Sequence, residues 1–66
     1  MKIELRENDE FKVELWVDGK LIRESSEFMA LYDEVETHYA QTKSQMRKIF
    51  EDYRETYREA MKRHGA

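Results

Sequence analysis

The stretch KVELWVDGKLI, Lys12 to Ile22, decides the fold. Asp18-Gly19 is the strongest hairpin signal in the chain, because a two-residue type I′ turn needs positive φ at both central positions. Such a turn sets Val17 against Lys20, Trp16 against Leu21, Leu15 against Ile22 and Glu14 against Arg23. Apolar then meets apolar and acid meets base. Val13, Leu15 and Val17 share one face, while Trp16 points to the other, among charges. A cross-strand pair of Trp16 with Leu21 contributes about 0.2–1 kcal/mol, enough to stiffen the turn. The alternatives are cover from a helix or a second subunit, or a role in binding a partner.

The same alternation extends upstream. In KIELRE, Lys2 to Glu7, Ile3 and Leu5 lie on one side, and Phe11 continues the side of Val13. Ile22 joins that side from the third run, with Leu21 on the other. Period-two patterns bounded by turn residues predict a three-stranded antiparallel meander over residues 1–24. A two-residue first loop would set Leu5 against Lys12. A three-residue loop, Asn8 to Glu10, sets Leu5 against Val13 and Ile3 against Leu15, with Asn8 or Asp9 best suited to a left-handed backbone.

From Ser25 the period becomes helical. Ser25 or Ser26 suits an N-cap and Glu27 the first turn. Apolar residues recur from Phe28 to Met61, and Lys62, Arg63 and His64 before Gly65 make a fitting end. One unbroken helix over 26–64 would extend roughly 58 Å, against roughly 20 Å for a strand of this size. Only its first part, 26–40, can lie on the sheet. AQTKSQ, Ala40 to Gln45, carries no large apolar residue, and Thr42 with Gln45 has capping-box spacing. No glycine or proline enforces a break there, so the expectation leans to a continuous or mildly kinked helix, with two helices as the alternative.

A seven-residue echo runs through Tyr32, Tyr39, Met46, Tyr53 and Ala60, beside Phe28, Val35, Thr42, Ile49 and Thr56. It suggests a seam for self-association or helix packing, interrupted by threonine and rich in tyrosine. Glu51–Arg54, Glu55–Arg58 and Glu59–Arg63 have the spacing of supporting pairs on the second segment, 44–64. The fold class expected is therefore α+β, a meander followed by one long helix or two.

A chain of 66 residues without cysteine forms a small core and has no disulfide to staple it. Two histidines and no cysteine argue against structural zinc. Oligomerisation remains, so a homodimer or a larger protein partner is expected. Residues 1–42 carry five basic and eleven acidic side chains, a net of −6, and residues 43–66 carry seven and four, a net of +3. Halves of opposite sign can pair across a dimer or serve separate partners. No run reaches the ~20 apolar residues that span a bilayer, and the N-terminus lacks a signal-peptide pattern, which points to the cytoplasm and away from membranes.

Nothing in the sequence points to catalysis. Both glycines are used by a turn and a helix end, the serines lack a catalytic context, and no carboxylate pair is marked as acid and base. Glu34 and His38 lie one helical turn apart, but two ligands do not make a metal site. No cofactor is implied. The chain's brevity matches small regulatory or inhibitory proteins, including those of phages and mobile elements.

The leading expectation is a non-enzymatic protein-binding module that inhibits or adapts by occluding or assembling a partner. Its candidate contacts are Trp16 and Leu21 on the sheet, Glu27, Asp33 and Glu34 on an acidic first helix, and Phe50, Tyr53 and Tyr57 on the second. Aromatic side chains are typical anchors of binding hot spots. The second reading is nucleic-acid binding through Lys43, Arg47, Lys48, Arg54, Arg58 and Lys62, with tyrosines to stack on bases.

Overall fold

The computed structural model describes residues 1–39 and 41–65. Three strands, β1 (Ile3–Glu7), β2 (Val13–Val17) and β3 (Lys20–Ser25), are followed by α1 (Phe28–His38) and α2 (Lys43–Gly65). The strands form one antiparallel sheet in the order β1-β2-β3. The fold is α+β. Both helices contribute to one core, in which Ile3, Leu5, Val13 and Leu15 from the sheet meet Leu31, Val35, Met46 and Ile49. The side chains of Leu15 and Val35 are fully enclosed.

Asp18 and Gly19 make the expected turn, with φ of 50° and 81°. Val17 faces Lys20 and Trp16 faces Leu21, as the turn requires. Beyond that pair the register departs from expectation. A β-bulge places Leu15 against Arg23 and Glu14 against Glu24, leaving Ile22 as the extra residue. Ile22 is therefore not a core residue but 46% exposed. The bulge turns Arg23 to the helix side, where its guanidinium meets Glu34 of α1 at 3.0 Å. It also creates a like-charged pair, Glu14 and Glu24. The Asn8 amide relieves it by donating to both carboxylates, at 3.1 and 2.9 Å.

The first connection is longer than three residues. It spans residues 8–12, and the register slides by two, so that Leu5 faces Leu15 and Ile3 faces Val17. Asn8 organises it. Its side-chain oxygen accepts from the Glu10 and Lys12 amides, and its own N–H donates to the Lys12 carbonyl at 2.8 Å. The left-handed residue is Phe11, with φ of 59°, and not Asn8 or Asp9. Phe11 consequently leaves the strand and the core face. Its ring lies 4.9 Å from that of His64 at the end of α2.

The helix start and the helix break also differ from the expectation. The N-cap of α1 is Glu27, and Ser25 accepts the Glu27 amide through Oγ just ahead of it. α1 ends at Tyr39, whose N–H bonds the Val35 carbonyl. Ala40, within the expected first helix, lies outside the described residues. Thr42 and Gln45 then form a reciprocal capping box: the Thr42 N–H donates to Gln45 Oε1, and the Gln45 N–H to Thr42 Oγ1. A new helix begins there instead of the old one continuing. It packs chiefly on β1, so Met46 and Ile49 of the proposed seam are spent on this chain's own core, and Tyr53 packs against it. Arg63 pairs with Asp9 at 2.7 Å and not with Glu59. Among the described residues no helix is long and apolar enough to cross a membrane.

Candidate functional site

The sheet's outer face is occupied by a polar network centred on Trp16. The Arg6 guanidinium sits 4.4 Å above the indole ring, and Glu4 holds that guanidinium through contacts of 3.0–3.2 Å. The indole N–H donates to Glu14 at 3.0 Å. A cation over an indole face contributes about 0.5–1 kcal/mol when exposed. Trp16 is half-buried, with Arg6 and Glu14 of its own sheet against it. Leu21 beside it is 50% exposed.

On the other side, the C-terminal end of β1 is tied to α2 by a junction that no sequence motif marks. Glu7 continues the inward parity of Ile3 and Leu5 and is buried. The Tyr53 hydroxyl donates to its carboxylate at 2.7 Å. The Glu7 amide donates to Thr56 Oγ1 at 2.9 Å, and that hydroxyl donates to the Tyr53 carbonyl. Burial, followed by the hydrogen bond to Glu7 and the charge of that carboxylate, pushes the Tyr53 phenol well above its ordinary pKa. Tyr53 is a structural joint.

Around Tyr53 the aromatic side chains form one continuous cluster. Phe28 of α1 stacks on Tyr53 with centroids 4.3 Å apart, and also meets Tyr32 at 5.3 Å and Phe50 at 5.9 Å. Tyr57 adjoins Tyr53 at 6.2 Å. Phe50 and Tyr57 are the outward members, 38% and 44% exposed. Helical spacing places basic residues around them. Arg47 and Arg54 lie three before and four after Phe50, and Met61, itself exposed, is four beyond Tyr57. Aromatic, methionine and arginine side chains are the types enriched at protein interfaces.

Comparison with family models, curated proteins and solved structures found no significant match. The site rests on geometry alone.

The expected contact residues thus fall into separate groups. Trp16 and Leu21 lie on the sheet's outer face, away from the aromatic cluster of Phe50, Tyr53 and Tyr57 on the helical side. Glu27 and Asp33 are exposed on α1, whereas Glu34 is held by Arg23. Lys43, Arg47, Lys48, Arg54, Arg58 and Lys62 are all exposed along α2. Lys48 faces Asp52 at 3.9 Å and Arg58 faces Glu55 at 3.1 Å. Among the described residues, no group of three or more histidine or acidic side chains is placed to hold a metal ion. The arginine-flanked aromatic face came from no single motif. It emerges when the helical spacing of α2 is combined with knowledge of which face α2 buries.

Proposed function

We propose that the chain is a non-enzymatic protein-binding module, an inhibitor or adaptor that acts by covering or recruiting a partner. The contact face is Phe50 and Tyr57, backed by Phe28, Tyr32 and Tyr53 and bordered by Arg47 and Arg54. The observation that carries this reading is the exposure of Phe50 and Tyr57 on a prepacked aromatic layer. Rings held in place lose little further freedom on binding, which favours their use as anchors. The bordering arginines suit a partner that presents apolar side chains among carboxylates. Trp16, already engaged with Arg6 and Glu14, is a secondary contact at most in this reading.

A nucleic-acid partner is the second reading, supported by Arg47 and Arg54 beside two exposed rings. One experiment separates the two. The chain is used to capture partners from lysate of its source organism, with and without nuclease, over a salt series. The protein reading expects a nuclease-resistant partner that F50A/Y57A no longer captures, while W16A still does. Capture lost to nuclease, or weakening steeply with salt, favours phosphate contacts. Undiminished capture by F50A/Y57A overturns the assignment of this face.

A further inference from the structure

A groove of about 350 Å³ runs along the free edge of β1, between Lys2–Arg6 and the Gln45, Lys48, Ile49 and Asp52 side of α2. The main-chain groups that face it follow from alternation. The Lys2 carbonyl accepts from Asp18 and the Asn8 amide donates to Lys12, so even-numbered residues of β1 bond towards β2. Odd-numbered residues point the other way, as the Glu7 amide does in meeting Thr56. Ile3 and Leu5 therefore present N–H and C=O groups to the groove. Such an edge is a template for another strand.

We propose that the occupant is β1 of a second copy, paired antiparallel about a two-fold axis at Ile3. Only this register satisfies the charges and the hydrogen bonds together. Pairing centred on Glu4 would set Glu4 against its own copy and Lys2 against Arg6, like against like. Pairing centred on Leu5 would need the Glu7 amide, which Thr56 already holds. Registers centred between residues would turn the apolar face of one strand to the outside. Centring on Ile3 pairs Ile3 with Ile3 and Leu5 with Met1 on the helix side. On the outer side it sets Lys2 of each copy against Glu4 of the other. The axis also brings the Lys48–Asp52 rim of one α2 towards its copy, where both charge signs are on offer. The result is a six-stranded sheet, giving a small, disulfide-free domain the shared layer that its own core lacks. This surface is separate from the Phe50–Tyr57 face, so its failure would leave that reading standing.

Sedimentation over a wide concentration range tests the proposal, with amide hydrogen exchange as the positional readout. The expected mass rises from 8.1 kDa to twice that value. The Ile3 and Leu5 amides should become protected as it rises, while Glu7 is protected throughout. Lys2→Glu and Glu4→Lys should each weaken self-association by roughly tenfold or more, since two cross-strand pairs turn from opposite to like charge. An equimolar mixture of K2E and E4K should form a heterodimer, because each lost pair is then restored. A mass of 8.1 kDa at every concentration overturns the proposal. So does a dimer in which the Ile3 and Leu5 amides exchange as fast as in the monomer.

Discussion

The Tyr53 hydroxyl donates to the buried Glu7 carboxylate at 2.7 Å, joining the middle of α2 to the end of β1. The two residues are 46 positions apart in the chain. Their bond fixes how far α2 has advanced along the strand, and with it the place of Phe50 and Tyr57.

Tyr53→Phe removes the donor and keeps the ring. A carboxylate left buried without it costs about 1–3 kcal/mol. Urea unfolding should show a lower midpoint with an unchanged slope. Equal midpoints would mean that the carboxylate finds another partner at no cost.

The same bond gives stability an alkaline limit. The folded chain holds the Tyr53 phenol protonated above its ordinary pKa of 10.0. The stabilisation is thus fully present below pH 10 and is lost as pH rises beyond it, where the unfolded chain ionises first. Thermal melts across that range should show a decline that Tyr53→Phe makes shallower. Parallel declines in the two proteins would remove Tyr53 as the cause.

Asn8→Ala withdraws the amide that bridges Glu14 and Glu24 and the oxygen that caps the first loop. Loss of stability by about 2 kcal/mol is expected. Adding Glu24→Gln should return part of it, since one of the two facing charges is gone. The comparison of single and double variants by chemical unfolding checks this.

Thr42→Ala breaks the capping box at the start of α2, at a cost of about 1 kcal/mol. Thr42→Ser should be nearly neutral, because its hydroxyl accepts the same bond. If both variants melt alike, the box is not what starts the helix.

Faces were legible in the sequence; registers were not. Alternation put Ile3, Leu5, Val13 and Leu15 inside, and all four are buried. It cannot distinguish registers that differ by two, because both keep the same faces. The three-residue loop set Lys2 beside Trp16, so the stacking of Arg6 on the indole was out of view. Ile22 failed for another reason. The bulge that ejects it is coupled to the Arg23–Glu34 contact, which exists only once α1 is in place. Phe11 adopts a left-handed backbone that its side chain does not favour, held between the Asn8 bonds and His64.

The candidate site was legible in its residue types and not in its grouping. The sequence groups Phe50, Tyr53 and Tyr57 on one helix, yet Tyr53 serves the interior, and Phe28 and Tyr32 complete the layer from α1. Glu7 shared the inward parity all along. Its charge disguised it, and the phenol supplied from α2 compensates its burial. The break after α1 was written in Thr42 and Gln45, whose mutual bonds sufficed without glycine or proline.

The irregularity at Ile22 has a bearing on how copies of the chain can accumulate. A bent outer strand is a poor template, and the bulge lies in the strand that ends the sheet opposite β1. In the edge-paired dimer proposed above, growth then proceeds from one margin only. Units with a single receptive margin stop at pairs, whereas two receptive margins would propagate into fibrils.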